Sequence, residues 1–243
     1  MSAKNRNSSK TRKKSESFSK LTNYFPYCDN VVMMTATSAR DLEELHRIGK
    51  IGKGTRIVNY ENLSSSHWNN GITGEQEFME KWTDRMREIF GSDSKRRKTL
   101  FKDVFKSSLV KDAGRKNELV LIDSCKKWSD DIARWVGGDD TVDSIVEDGI
   151  IGLNIVMSRT RIEGDSRPFN HNVCIVPNDG YRSQNEEYSA TRSMYIIANA
   201  VENASGGRLE TVAMMNYWDD ARSPMAYIVF RKTGAKVKCE NQI

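Results

Sequence analysis

Between Ala3 and Phe18 the chain holds no apolar residue larger than alanine, while Lys4, Arg6, Lys10, Arg12, Lys13 and Lys14 stand against a single acid, Glu16. Such a segment cannot fold by burying itself. Any hydrophobic core has to come from the residues that follow. With Lys20 the first twenty residues carry seven cations and one acid, a net +6, whereas the whole chain carries +5. A basic arm is therefore joined to a body close to neutrality.

A chain of 243 residues fits one large domain or two small ones and can build a core without staples. No apolar run approaches the ~20 residues of a membrane span. The N-terminus has no apolar stretch of the kind a secretory signal needs, and no amphipathic face of the kind a transit peptide needs. Cys28, Cys125, Cys174 and Cys239 are far apart and form no C-x-x-C pair. That spacing argues against a compact zinc site and for reduced thiols in the cytoplasm.

Phe18 to Tyr27 reads as an aromatic hinge into the body. Strand-like runs follow at Asn30–Ala36, Thr55–Tyr60 and Glu118–Asp123. Ser38–Ile48 reads as a short helix with Ser38 its cap. Phe78, Trp82 and Met86 recur at four-residue spacing, which predicts an amphipathic helix. Leu100, Phe101, Val104, Phe105 and Leu109 predict a second, opened by the basic cluster Lys95-Arg96-Arg97-Lys98. Trp128, Ile132 and Trp135 suggest a helix ending at Gly137-Gly138. From Thr141 the pattern turns β-rich, with one helix over Tyr188–Val201 and closing strands at Arg208–Trp218 and Met225–Lys232. The expected architecture is α+β: a β-sandwich body with helical insertions, comprising residues 28–243, preceded by a basic assembly arm and hinge over 1–27.

No pattern announces catalysis. Gly137-Gly138-Asp139-Asp140 suits a helix end and a turn. Gly49 to Thr55 is rich in glycine and lysine, but it follows a helix and enters a strand, the reverse of a phosphate-binding loop. His46, His67 and His171 match no metal or triad spacing. Glu186-Glu187 suits the first turn of a helix, and Asp219-Asp220 suits a strand-to-strand turn. The basic segments are the strongest signal. They fit either phosphate neutralisation or docking onto other copies of the same chain.

The order of small features from Glu147 to Lys232 resembles the cypovirus polyhedrins. Asp148-Gly149-Ile150 opens a strand, and Phe169-Asn170 leads into Val173-Cys174-Ile175-Val176. The helix Ser189–Val201 follows, then Arg208 to Tyr217, a turn and a strand through Tyr227. A weaker echo covers Asn30 to Trp82. The resemblance implies a non-enzymatic occlusion-body protein, assembled as trimers into a crystal that embeds virus particles in the cytoplasm of the infected cell. It implies no required cofactor, with a lattice-bound nucleotide possible but unassigned, and no membrane partner. The crystal would dissolve in alkali. Lysine, tyrosine and cysteine titrate in that range, which makes Tyr24, Tyr27, Tyr181 and Tyr188 candidate alkali-sensitive contacts. The arm then becomes an assembly strap through Lys4, Arg6, Lys10, Arg12, Lys13, Lys14 and Lys20. The rival reading is an RNA-binding coat or nucleocapsid protein, the one case in which nucleic acid is a partner.

Overall fold

The computed structural model describes residues 18–35, 38–62, 72, 74–91, 96–157, 162–176, 184–218 and 224–234, the side chains of 125 and 184–186 apart. The strands are β1 (Asn30–Met33), β2 (Arg56–Glu61), β3 (Arg97–Phe101), β4 (Asn117–Lys127), β5 (Ile145–Val156), β6 (Cys174–Ile175), β7 (Leu209–Trp218) and β8 (Pro224–Lys232). The helices are α1 (Arg40–Arg47), α2 (Glu75–Phe90), α3 (Leu109–Ala113), α4 (Asp130–Val136), α5 (Asp139–Asp143) and α6 (Gln184–Ala204). Among the described residues the strands form one sheet in the order β3-β2-β1-β4-β5-β8-β7-β6. β3, β2, β1, β4 and β5 run parallel. β8 is antiparallel to both of its neighbours, β5 and β7.

This is a mixed sheet of the Rossmann-like α/β class, which corrects the expected sandwich. A sandwich needs two sheets, each with one wet face. Here one sheet is buried on both sides, and the alternation of its side chains feeds two cores. Leu119 and Leu121 of β4 pack with Leu42, Leu45, Phe78, Trp82 and Met86 on the α1–α2 side. Val120 and Ile122 of the same strand pack with Leu109, Ile132, Val136 and Ile197 on the α3–α6 side. Burial of both faces is why these strands read as unbroken apolar runs.

Local sequence explains the helix that forms the first cover. In α2, Phe78, Trp82, Met86 and Phe90 fall four apart and are all buried. Glu75 and Glu77 lie in its first turn, where acids suit the helix dipole. Gly91 ends it in the left-handed region at φ 70°, its N–H donating to the Arg87 carbonyl.

The stripe from Leu100 to Leu109 is not one helix. Arg97–Phe101 is β3, Val104–Lys106 is a 3-10 turn, and α3 begins at Leu109. The 3-10 turn buries Val104 and α3 buries Leu109, while Leu100 and Phe101 of β3 are partly buried. The hinge also belongs to the body: Phe18, Leu21 and Phe25 are buried on the α1–α2 side.

Candidate functional site at the carboxyl edge of the sheet

The strand order reverses between β1 and β4. The chain leaves β1 for α1 on one face and leaves β4 for α4 on the other. In sheets of this type that divergence opens a crevice at the carboxyl ends of the strands, where ligands bind.

Polar side chains collect there. The Thr35 N–H, just past β1, donates to Asn59 Oδ1 at 2.9 Å. Asn59 is fully buried, and its Nδ2 faces Thr99 Oγ1 on β3 at 3.5 Å. Two residues on, Glu61 closes β2, with Oε1 accepting the Asn62 N–H at 3.0 Å. On β4 the Asp123 Oδ1 accepts Asn154 Nδ2 of β5 at 2.7 Å. The Tyr217 hydroxyl of β7 donates to Asn154 Oδ1 at 2.9 Å. That chain of bonds sets the orientation of the Asn154 amide, which in turn holds Asp123.

Alternate residues along a strand share a face. Glu61 therefore points with Ile57, Asp123 with Leu121, Asn154 with Gly152 and Tyr217 with Met215, all toward the α1–α2 side. Two half-buried carboxylates thus occupy one rim. Burial pushes the Glu61 pKa up, the Asn62 N–H partly opposes this, and the Asp123 charge pushes it further. A carboxylate in that setting gains from hydrogen-bond donors or a positive charge brought by a ligand.

The sequence after β1, residues 34–39, contains no glycine. Its last residue, Ala39, nevertheless sits in the left-handed region at φ 46°, ψ 33° and is buried. The backbone bends where a glycine would be relaxed, but it carries a methyl group. A ligand cannot approach that backbone as closely as it could a glycine-rich loop.

None of the residues expected to act from sequence is among the described side chains of this group. Lys4, Arg6, Lys10, Arg12, Lys13, Lys14 and Tyr181 fall outside the described residues, as do His67 and Asp219-Asp220. Lys20 is exposed. Tyr27 and Tyr188 are exposed. A hydrogen bond with Cys174, then burial, push the Tyr24 pKa up to about 12. Asp139 and Asp140 open α5 as a helix start: Asp139 pairs with Arg208, and Asp140 accepts the Leu109 N–H at the start of α3. The Gly49–Thr55 turn lies at the amino edge of the sheet, away from the crevice. There Thr55 Oγ1 donates to the Cys28 carbonyl and Arg97 donates to the Lys53 carbonyl. His46 contacts the Ile51 carbonyl and the Phe90 ring, a packing role. Among the described residues no cluster of three His, Cys, Asp or Glu side chains could hold a metal ion. Among those residues no helix is long and apolar enough to cross a membrane. Sequence reading missed Glu61 and Asp123, although an acid ending the second strand of a βαβ unit is the signal that marks such a site.

No protein-family model matches the chain, and no characterised protein matches it by sequence. Solved structures do match by fold. The N-methyltransferase NodS from Bradyrhizobium japonicum WM9 matches at a TM-score of 0.51 and 10% identity, over 93% of this chain and 97% of its own. The O-methyltransferase TomG from Streptomyces achromogenes, solved in complex with SAM, matches at 0.50 and 9%, over 91% and 80%. The likeness is one of fold, and it overturns the polyhedrin resemblance. The β-sandwich on which that resemblance stood is absent from the described residues, and the matching folds belong to enzymes. The non-enzymatic occlusion-body reading falls with it, and so does the coat-protein alternative.

Proposed function

We propose that the chain is a methyltransferase that takes its methyl group from S-adenosylmethionine bound in the crevice at the carboxyl ends of β1, β2 and β4. The observation that carries this reading is the pair of half-buried carboxylates, Glu61 and Asp123, beside the strand-order reversal.

The residues present fit such a cofactor. Its ribose offers two adjacent hydroxyl donors, and its sulfonium and ammonium groups are cationic. Glu61 supplies an acceptor at the end of β2, the position from which an acidic side chain reaches a ribose in Rossmann-like folds. A bound cation also relieves the repulsion between Glu61 and Asp123. A dinucleotide fits less well. Its pyrophosphate needs close backbone approach at the first βα turn, and Met34 to Ala39 carries side chains throughout. The cofactor proposed here has no phosphate to place there.

When bound, the cofactor supplies an electrophilic methyl group. This chain's residues position it. Glu61 would anchor the ribose, and the Thr35–Asn59 bond ties the end of β1 to β2. Asn154, held by Tyr217, keeps Asp123 facing the same rim. Calorimetric titration with S-adenosylhomocysteine, the unreactive product, tests the reading. Saturable one-to-one binding that Glu61→Gln weakens supports it. A folded protein that takes up no heat at millimolar ligand removes it.

A further inference from the structure

We infer that the amino edge of the sheet, opposite the crevice, is a binding surface for single-stranded nucleic acid; the inference stands apart from the methyl-transfer reading above. The strands β3, β2, β1 and β4 run parallel, so their starts share one edge. The register that pairs Ile57 with Arg97 carries Arg96 to the level of Arg56. Arg115 and Lys116 lead into β4, and Lys50 and Lys53 lie in the turn that leads into β2. Neighbouring strands are about 4.8 Å apart, so these six cations spread over roughly 15 Å of the edge.

The cations stand on a fixed frame. Thr55 Oγ1 accepts the Gly52 N–H at 2.9 Å and donates to the Cys28 carbonyl at 3.0 Å. Arg96 Nη1 donates to the Gly54 carbonyl at 3.2 Å, and Arg97 Nη2 donates to the Lys53 carbonyl at 2.7 Å. The Arg97 guanidinium also lies 3.8 Å from the centre of the Phe90 ring, which commits that buried cation to packing. Arg56 Nη2 reaches to 4.0 Å from where a Cβ on Gly114 would stand, joining the start of β2 to the residues before β4. Lys53, Arg96, Arg115 and Lys116 are exposed, and Lys50 and Arg56 are half-buried. Among the described residues Lys50, Lys53, Arg56, Arg115 and Lys116 make no ion pair. Like charges held this close repel, and a polyanion laid across them relieves the repulsion.

The acids on these strand starts are Asp29 and Glu118, and Glu118 Oε2 is taken up by the Asn30 N–H at 2.7 Å. Beyond β4 the sign changes, where Asp139 and Asp143 hold Arg208 just ahead of β5. The positive surface is thus bounded on that side.

An aromatic ring selects among polyanions. Tyr27 is 58% exposed between buried neighbours, Phe25 and Cys28. Its hydroxyl lies 3.2 Å from where a Cβ on Gly52 would stand, so the side chain lies against the turn between Lys50 and Lys53. A single strand uses both features: its phosphates meet the cations, and an unpaired base stacks on the open ring. Duplex bases are already stacked on one another. An acidic protein or an anionic lipid surface would use the charges alone.

The test is fluorescence anisotropy of a labelled 12-nucleotide single-stranded RNA of mixed sequence with the full chain, from 50 to 200 mM KCl. One variant replaces Lys53, Arg56, Arg115 and Lys116 by glutamine, and the other is Tyr27→Ala. Residues 1–17 are the same in every protein and cancel from the comparison. Each phosphate neutralised on a single strand contributes about −0.7 to the log–log salt slope, so the four-cation variant's slope is expected to be shallower by about 3. Over this fourfold salt range the wild type then loses about 50-fold more affinity than that variant. The pair Lys53→Gln and Lys116→Gln, both on the open surface, is expected to give half that change in slope. Tyr27→Ala is expected to weaken binding about 5- to 150-fold with an unchanged slope, and Tyr27→Phe to bind as wild type does. Four-cation and wild-type slopes that agree within one unit overturn the inference, as does a Tyr27→Ala variant that binds RNA as tightly as wild type. An acidic-protein partner would instead show as equal losses on RNA and on polyglutamate in the four-cation variant with Tyr27→Ala silent on both, and that result also overturns it.

Discussion

Replacing Glu61 by glutamine moves folding and binding in opposite directions. The side chain keeps its shape, and its remaining oxygen can still accept the Asn62 N–H that lies at 3.0 Å in the wild type. What changes is the second oxygen, which becomes a donor where the proposed cofactor would present its ribose hydroxyls. One charge-assisted hydrogen bond of about 1.5–3 kcal/mol is lost. That weakens S-adenosylhomocysteine binding about 10- to 150-fold. Folding responds with the other sign. Burial and the Asp123 charge raise the Glu61 pKa. Between its unfolded and folded pKa values the native state then holds more protons than the unfolded chain, so stability falls as pH rises through that window and stays lower above it. Glutamine carries no such penalty. The ligand-free variant should unfold later than wild type at pH 7, and the gap should close below about pH 4, where the unfolded carboxyl is itself protonated. Calorimetric titration with the product, together with thermal unfolding at pH 4 and pH 7, reads both effects. An unchanged affinity, or affinity and stability falling together, would refute the reasoning.

Other expectations follow from the packing. A Cβ on Gly137, the residue that ends α4, would lie 2.7 Å from the Ser205 nitrogen and the Val201 carbonyl. Gly137→Ala should cost about 1–3 kcal/mol by overpacking and lower the melting temperature by several degrees. Gly206 has open space around it but sits at φ 63°, so Gly206→Ala should cost about 1–2 kcal/mol through backbone strain alone. Thermal melts of the two variants separate the two causes, because Gly137 at φ −84° is unstrained. Asn154→Ala removes the donor to Asp123 and should lower the urea midpoint by the equivalent of about 1.5–3 kcal/mol, with an unchanged denaturant slope. Trp82, 2% exposed between α2 and the sheet, should cost about 3–5 kcal/mol when cut to alanine.

Much of the local structure was legible from residue pattern. The runs that became β1, β2, β4, β7 and β8 are apolar and β-branched, and the four-residue spacing of Phe78, Trp82 and Met86 fixed the face of α2. The arrangement was not legible. A strand such as Leu119–Ile122 is apolar on both faces, which suits a parallel sheet covered twice, yet in short stretches the same residues suit a sandwich. The β-rich half after Thr141 weighted the reading toward a sandwich. In the fold those segments extend the parallel sheet, with β8 antiparallel between β5 and β7. The site was hidden for a related reason. Glu61 opens a polar loop in the sequence and has no meaning until β1, β2 and β4 lie side by side. Asp123 looks like the end of a strand until Asn154 and Tyr217 are brought across from β5 and β7.

The position of β8 has a consequence for how the molecule is made. Pro224–Lys232 is the last strand among the described residues but lies inside the sheet, between β5 and β7. Its residues are buried apart from Arg231. As the protein leaves the ribosome, β5 and β7 are complete before their common partner exists, and each presents an open hydrogen-bonding edge. The parallel half can assemble early, but the two halves are joined only when the final strand arrives. Completion of the native sheet thus waits for β8, and a chain cut short before Pro224 would display two unpaired edges, the condition under which nascent proteins aggregate.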